Sequence, residues 1–252
     1  MVPVTIDGEM LKLATITYKP LGAGPFPTLI YHHGSTGGSA DPAVIAQPYD
    51  PKMLAAWFTT RGWAVVLPQR RGRGGSEGAY EEGISICEPE LALAGAERGL
   101  RDIDAITAAI LAQPFVDRSR VAIGGQSRGG ILSVAWSGRQ PAAPRAVINF
   151  VGGWLGSRCW SRDEVNQSLF KRGAAYDKPT IWLYGDKDPY YPLRHCRANF
   201  AAFEAAGGKG ELHEYTPPDG LNGHQISAVP GLWTATLETY LGSQGLPARP
   251  AP

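Results

Sequence analysis

The pattern Gly-x-Ser-x-Gly occurs twice in this 252-residue chain, and each occurrence offers a serine that could act as a nucleophile. Ser127 directly follows the apolar run Val121-Ala-Ile-Gly-Gly and directly precedes a helical pattern that begins at Ile131. Ser76 lies eight residues beyond the nearest strand pattern and is followed by a polar, glycine-broken segment. A nucleophilic serine of this pattern sits at a sharp turn from a strand into a helix. The sequence therefore predicts Ser127, and not Ser76, as the nucleophile.

A nucleophilic serine needs a base to take its proton. His224 lies in a loop rich in Gly, Asn, Asp and Pro, directly after the last predicted strand. Loops at the carboxyl ends of strands are where α/β sheets collect functional groups, so His224 is the predicted base. The other four histidines, which lie at a strand end, in a helix or within a strand, are His32, His33, His195 and His213.

The base in turn needs an acid to orient it, and Tyr184-Gly-Asp-Lys-Asp-Pro supplies two aspartates after the seventh predicted strand. Asp188 precedes a proline, which favours an extended backbone that could direct its side chain away from the turn. Asp186 follows a glycine and is better suited to closing the turn by bonding to nearby backbone N–H groups. Asp188 is therefore the predicted acid, and Asp186 stays open as the alternative.

The elements that must position these residues alternate between β-rich and helical runs, which is typical of an α/β sheet protein. Eight strands are predicted in a mostly parallel sheet: Val2–Ile6, Lys12–Tyr18, Thr28–His32, Ala64–Pro68, Val121–Gly125, Ala146–Val151, Thr180–Tyr184 and Glu211–Tyr215. The nearly all-apolar runs that begin at Thr28, Ala64 and Thr180 suit central strands covered on both faces, and the first two strands, which alternate better, could form an edge hairpin. The apolar spacing predicts helices over Pro51–Arg61, Gly95–Gln113, Ile131–Trp136, Arg194–Ala206 and Leu232–Leu241. We expect residues 1–242 to form one domain, with 152–178 as a small lid-like excursion and 243–252 as a flexible tail.

Composition and charge exclude several classes of protein and partner. Apolar residues make up 43% and charged residues 19%, which is globular, and the formal charge is +1, which argues against a nucleic-acid partner. We expect no membrane span, because no run of 18 apolar residues occurs. A leader pattern is lacking at the start, so a cytoplasmic location is expected, with export after leader removal as the alternative. The three cysteines have no metal-ligand spacing, and we expect reduced thiols or a Cys159–Cys196 bridge.

The motifs together resemble those of the α/β-hydrolase superfamily, most closely its dienelactone hydrolase and prolyl-oligopeptidase-like branch. The resemblance covers nearly the whole chain. The motifs that carry it are Tyr31-His-His-Gly-Ser-Thr-Gly, Pro68-Gln-Arg-Arg-Gly-Arg-Gly-Gly-Ser-Glu-Gly, Gly125-Gln-Ser-Arg-Gly-Gly, Gly185-Asp-Lys-Asp-Pro and Gly223-His. The order Ser127, Asp188, His224 is also the order of this superfamily. Two features depart from the branch: the elbow holds serine where dienelactone hydrolases use cysteine, and the chain has no room for a β-propeller.

The resemblance implies further roles. The backbone N–H groups of Ser35 and Arg128 would form the oxyanion hole, where two donors meet the developing negative charge. His33 and the run of Arg70, Arg71 and Arg73 are expected to brace the floor of the site, although arginine near the nucleophile would also suit a carboxylate-bearing substrate.

The expected activity is hydrolysis of a carboxylic ester or small amide through a Ser-His-Asp triad, on a small-molecule ester or peptide-like substrate, with no metal and no cofactor. The alternatives are a serine peptidase, for which Glu81, Glu82, Glu88 or Glu90 could bind a peptide amine, and an acyltransferase. A non-catalytic binding protein is disfavoured because all three triad candidates are present. The sequence does not fix the oligomeric state.

Overall fold

A computed structural model describes residues 1–82, 86–140 and 144–247. In these residues a seven-stranded sheet has the strand order β3-β5-β4-β6-β7-β8-β9, and only the β3–β5 pairing is antiparallel. The strands are β1 Val2–Ile6, β2 Glu9–Leu13, β3 Thr15–Tyr18, β4 Phe26–His32, β5 Ala64–Pro68, β6 Val116–Gln126, β7 Ala146–Phe150, β8 Thr180–Gly185 and β9 Gly210–Tyr215. The mostly parallel α/β architecture is confirmed.

Helices cover the sheet, as the apolar strand runs require. They are α1 Pro42–Ala46, α2 Lys52–Thr59, α3 Pro89–Leu111, α4 Arg128–Arg139, α5 Arg162–Arg172, α6 Leu193–Ala205 and α7 Pro230–Ser243, with short 3-10 helices at Gly173–Ala175 and Gly223–Ala228. Helix α3 begins six residues before the predicted start, because Pro89 occupies its first turn, where proline needs no N–H donor. Helix α5 lies within the 152–178 segment, where no periodicity indicated one. None of the helices in the described residues combines the length and apolar character that crossing a bilayer demands.

The predicted strand Lys12–Tyr18 is wrong, because the strand is interrupted at Ala14. Residues before the break pair with β1 in a separate two-stranded sheet, and residues after it pair with β5. The Ala14 N–H donates to Ser76 Oγ at 2.8 Å, and its carbonyl accepts from the Gln69 N–H at 2.9 Å. One predicted strand is thus two, β2 and β3. Because β1 and β2 form the separate sheet, seven of the nine described strands make up the main sheet, where about eight were expected.

Two further expectations, for the C-terminal tail and for the cysteines, are corrected. Leu246 is only 5% exposed, and the indole Nε1 of Trp63 donates to the Pro247 carbonyl at 2.9 Å, so the predicted flexible tail packs on the core through residue 247. Residues 248–252 lie outside the described residues. The disulfide joins Cys87 to Cys159, so the expected Cys159–Cys196 bridge is wrong, and the expected reduced thiol is found only at Cys196, which is buried in α6.

The order of the strands decides where a site can form. The chain runs from β4 outward to β5 and then returns to place β6 on the other side of β4. At such a switch point the loops leave the sheet in opposite directions and open a crevice at the carboxyl ends of the strands. The loop that carries Ser35 and the turn that carries Ser127 both start there, since His32 pairs with Gly125 in register.

Candidate active site

Ser127 occupies the turn between β6 and α4, with φ 56° and ψ −123°. A positive φ is uncommon for a residue with a side chain and marks a turn held by its surroundings. The turn is held by backbone bonds: the Ser127 N–H donates to the Phe150 carbonyl at 2.9 Å, and the Ser127 carbonyl accepts from Gly130 at 3.0 Å and from Gly153 at 3.2 Å. The strand-to-helix turn predicted at this serine is confirmed.

The glycines of the motif are needed for space. A Cβ on Gly129 would overlap the His32 carbonyl, and a Cβ on Gly125 would overlap the Gly129 backbone. A Cβ on Gly34 would lie 3.0 Å from the Ser127 Cβ. The loop after β4 can therefore approach the serine only because these positions lack side chains.

Asp188 and His224 meet after β8 and β9, the two strands at one end of the sheet. Asp188 Oδ2 accepts a hydrogen bond from His224 Nδ1 at 2.9 Å, and Asp188 Oδ1 accepts from the N–H groups of Tyr190 and Tyr191 at 2.8 and 3.0 Å. The Asp188 carboxylate is buried, while the His224 side chain is 17% exposed. The carboxylate thus fixes the Nδ1–H tautomer of His224 and leaves Nε2 available.

Close backbone contact brings this pair together. Gly185, at the end of β8, and Gly223, next to the histidine, lie so near that a Cβ on either would overlap the other's backbone. His224 is the second residue of the 3-10 helix Gly223–Ala228, which is capped by Asn222, whose side chain accepts from the His224 N–H at 2.9 Å. The loop predicted at this position is therefore a capped helical turn.

Asp186, the alternative acid, is exposed and accepts from the N–H of Lys187 at 2.8 Å. It closes the turn as predicted and forms no hydrogen bond or ion pair with any histidine of the described residues.

Gln126 is a site residue that the sequence analysis missed. Its Nε2 donates to the His224 carbonyl at 2.9 Å, and its Oε1 accepts from the Tyr49 hydroxyl and, at 3.3 Å, from Ser227 Oγ. The variable residue before the serine in the motif therefore ties the serine turn to the histidine segment. Only the pairing of two distant segments reveals this role, so no local pattern could have shown it.

Tyr191 is a second missed residue. Its hydroxyl donates to the Gly153 carbonyl at 2.7 Å, and the residue lines the same cavity as Ser127. Burial raises the pKa of Tyr191 well above its ordinary value, so the hydroxyl stays protonated at the floor of the site. The only sequence signal for this role was the pair of adjacent tyrosines, Tyr190 and Tyr191, that follows Asp188-Pro.

The expected oxyanion donors stand on either side of the serine. Arg128 is the first residue of α4, where a helix leaves its N–H groups without intrahelical partners. Ser35 follows β4 and lines the same cavity as Ser127 and Arg128. The Arg128 side chain turns away into the protein, where its guanidinium lies over the Trp154 ring at 4.0 Å and donates to the Glu82 carbonyl at 2.6 Å.

His33 braces the floor as the resemblance implies. Its Nδ1 donates to the Gly34 carbonyl at 2.6 Å, and its Nε2 accepts from the Arg70 N–H at 2.9 Å. Burial and the neighbouring Arg70 charge hold the pKa of His33 well below its usual range, so the imidazole is neutral. Arg70 also donates to the His33 carbonyl at 2.8 Å, which fixes the loop that leads to Ser35.

Arg71 and Ser76 have structural partners too. Arg71 pairs with Asp102 at 2.6 Å and with Asp7 at 3.1 Å, and Ser76 Oγ donates to the Gln69 carbonyl at 2.6 Å. Ser76 is thereby occupied in joining the β3 and β5 regions, which agrees with its exclusion as a nucleophile.

Ser127 and His224 open into one cavity of about 1090 Å³. Its far walls come from the segments after β7 and before α3, and include Trp154, Leu155 and the disulfide. Among the described residues that line it there are three arginines, Arg73, Arg128 and Arg158, and no aspartate or glutamate. In the described residues, no cluster of three or more His, Cys, Asp or Glu side chains could hold a metal ion.

Comparisons with known proteins agree with this architecture. The sequence profile of the prolyl oligopeptidase family matches residues 51–154, which include α2, α3, β6 and the Ser127 turn. No curated protein sequence matches the chain.

Solved structures match it over most of its length. Est1E from Butyrivibrio proteoclasticus with bound ferulic acid is 17% identical, with a TM-score of 0.60 over 86% of this chain and 89% of that one. An esterase from Pyrococcus furiosus is 14% identical, with a TM-score of 0.64 over 96% and 88%. Esterase 2 of Thermogutta terrifontis, phosphoramylated by tabun, is 18% identical, with a TM-score of 0.58 over 99% and 96%. These likenesses show that the chain has the α/β-hydrolase fold.

Proposed function

We propose that the protein is a serine hydrolase that cleaves carboxylic esters, with Ser127, His224 and Asp188 as its triad. The observation that carries the proposal is the serine held at a positive φ in the same cavity as an imidazole whose Nδ1 is bonded to a buried carboxylate. The similarity in fold to solved esterases supports the same reaction class.

In this mechanism Ser127 Oγ attacks the acyl carbonyl while His224 Nε2 takes its proton. Asp188 stabilises the imidazolium through the 2.9 Å bond to Nδ1. The N–H groups of Ser35 and Arg128 stabilise the negative oxygen of the tetrahedral intermediate, each contributing about 3 kcal/mol. His224 then protonates the leaving alcohol, and water, activated by the same imidazole, releases the acid from the acyl-enzyme.

Aminopeptidase activity is the second candidate, and the charges in the cavity disfavour it. A free peptide amine would need a carboxylate partner. Glu82 is buried and already pairs with Arg70 at 2.5 Å, and Glu81, Glu88 and Glu90 do not line the cavity. Acyl transfer to another alcohol would use the same acyl-enzyme, and no feature of the described cavity favours it.

A fluorophosphonate probe tests the proposal. We expect one covalent adduct at Ser127 by peptide mapping, together with hydrolysis of short 4-nitrophenyl esters. Ser127→Ala should lose the adduct and lower kcat/KM by several orders of magnitude with an unchanged circular dichroism spectrum. A Ser76→Ala variant serves as the matched control and should still be labelled. Labelling at Ser76, or unchanged turnover in Ser127→Ala, would show that the proposal is wrong.

A further inference from the structure

Arg73 is a buried arginine without a carboxylate partner. It is 6% exposed and makes no ion pair with any described residue. Its Nη1 donates to the carbonyls of Val44 and Ile45 at 2.8 and 2.9 Å, and its guanidinium lies 5.6 Å from the centre of the Tyr80 ring. Among the described residues the buried Nε atom has no hydrogen-bond partner, and Nη2 makes no hydrogen bond either. Two nitrogen atoms of this guanidinium, carrying three N–H groups, are therefore unused, and the residue lines the same cavity as Ser127.

Its neighbours do not supply the missing charge. Glu82 is shared by Arg70 at 2.5 Å and Arg128 at 3.7 Å, so one buried carboxylate already faces two arginines before Arg73 is considered. Burial lowers the pKa of Arg73, and Glu82 only partly offsets that effect. A buried cation is costly unless an anion pairs with it. The floor of the cavity thus carries an excess of positive charge.

Arg158 adds to this excess at the opposite wall. It is exposed, lines the cavity, and has no hydrogen bond or ion pair within the described ranges 1–82, 86–140 and 144–247. No described aspartate or glutamate lines the cavity to balance it. The cavity thus has one exposed arginine, Arg158, and one buried arginine without an ion-pair partner among the described residues, Arg73.

We infer that the preferred substrates are esters that carry a carboxylate, bound by Arg73 with help from Arg158. The inference rests on the proposed esterase function and names its substrate class. A guanidinium held at Nη1 by two carbonyls leaves the N–H groups of Nε and Nη2 without partners among the described residues, and these two parallel donors match the geometry of a carboxylate. Arg73 acts here as a specificity residue and takes no part in the bond-breaking steps.

Matched ester pairs test the inference. One pair places the charge on the acyl side: mono-4-nitrophenyl adipate against its neutral methyl ester. The other places it on the alcohol side: 4-acetoxybenzoate against methyl 4-acetoxybenzoate. For at least one pair we expect kcat/KM to favour the anionic ester, and Arg73→Gln to lower this anionic-to-neutral ratio by about tenfold to a hundredfold, the range of a charge-assisted bond. Arg73→Lys should retain part of the preference, because lysine keeps the positive charge but lacks the two parallel N–H donors of a guanidinium.

Arg158→Gln tests the inference independently, because the Arg73 variants could lower the ratio through a folding defect. Arg158 is exposed, so its replacement should not disturb the fold. It should lower the ratio severalfold, and 1 M NaCl should reduce the wild-type ratio as well, because the screening length there is about 3 Å. Arg118→Gln is the matched charge control: this exposed arginine lies near the start of β6, away from Ser127, and its loss should leave the ratio unchanged. If both ester types are cleaved equally and neither arginine variant alters the ratio, the inference is wrong while the esterase proposal stands. If neither type is cleaved, the esterase proposal itself fails.

Discussion

Asp188 and Asp186 stand two residues apart after the same strand, and the structure gives them opposite surroundings. The Asp188 carboxylate is buried and uses both oxygens, one on His224 and one on two backbone N–H groups. Asp186 is exposed and bonds to the N–H of the next residue. At the residue scale, the role of each acid follows from what its oxygens contact.

Asp188→Asn should therefore lower kcat by about three to four orders of magnitude, because an amide at this position would donate to Nδ1 and favour the wrong tautomer of His224. The Asn side chain can still accept from the Tyr190 and Tyr191 N–H groups, so the fold should persist. Steady-state kinetics with a neutral ester, alongside circular dichroism, measures both effects. Asp186→Asn is the matched control and should stay within a few fold of wild type. An inactive Asp186→Asn with an active Asp188→Asn would mean that the two roles are exchanged.

The sequence could identify these residues because each carries a local signal: glycines around Ser127, a proline after Asp188 and a turn-rich segment before His224. Gln126 and Tyr191 could not be found in this way. Their contacts join segments far apart in the chain, such as the 98-residue separation between Gln126 and His224. Local patterns specify turns and strands, whereas the contacts between loops depend on how the whole sheet is assembled.

At the scale of elements, the serine turn depends on backbone segments packed so closely that no side chain fits between them. Gly129→Ala would force a Cβ into the His32 carbonyl, so the turn, the end of β4 or both must shift. We expect a loss of about 2 kcal/mol or more in the free energy of unfolding, typical of overpacking, and loss of ester turnover. Gly231→Ala in α7 is the matched control: a Cβ there meets nothing within 4 Å, so stability should be unchanged or slightly higher. Urea unfolding measures both, and equal stability of the two variants would contradict the steric argument.

The disulfide is the element-scale feature that the sequence analysis got wrong. Cys87 precedes α3 and Cys159 precedes α5, and 72 residues separate them. Neither segment has a periodic pattern, so nothing local indicates that they meet at the cavity wall. The structure shows that they do, with Ser161 Oγ bonded to the Cys87 carbonyl.

Closing a loop of this length should stabilise the fold by about 4 kcal/mol if loss of chain entropy in the unfolded state dominates. We expect the reductant TCEP to lower the Tm of the wild type and to leave the Tm of a Cys87→Ser/Cys159→Ser double variant unchanged. Cys196 remains in both proteins, so it cannot cause the difference. A wild type that contains three free thiols, and whose Tm is insensitive to TCEP, would rule out the bond.

For the whole molecule, the disulfide also bears on location. Such bonds persist in oxidising compartments and are rare in a reducing cytoplasm. The cytoplasmic location expected from the sequence stays a prediction, and the Cys87–Cys159 bond favours the alternative, an exported protein. Counting free thiols in protein isolated from its native source would separate the two, since a protein kept in an oxidising compartment with this disulfide has one free thiol per chain and a reduced protein has three.

The buried polar groups also set the response of the whole fold to acid. His32 is fully buried, neither of its ring nitrogens has a partner among the described residues, and burial followed by the nearby Arg70 charge lowers its pKa from 6.5 to about 3. The unfolded chain therefore binds a proton at His32 below about pH 6.5 while the folded chain does not, so protonation favours unfolding. The stability associated with the neutral imidazole is fully present above pH 6.5 and declines as the pH falls toward 3. His33, whose pKa is also lowered by burial, acts in the same direction.

His32→Leu should remove this share of the acid sensitivity. Between about pH 6 and pH 4.5, the free energy of unfolding of the wild type should fall with a contribution from His32 of about 1.4 kcal/mol per pH unit, and the variant should lack that contribution. Because leucine is close to histidine in size and leaves no unpaired ring nitrogen, the variant should also be at least as stable as the wild type at pH 5. Urea unfolding at half-unit pH steps measures the two slopes. Parallel slopes would mean that His32 is protonated in the folded protein or reaches a partner there. The acid sensitivity would then belong to His33 and to carboxylates such as Glu82. Because the pKa of Glu82 is lowered in the folded protein, its stabilising contribution declines only below about pH 4.5.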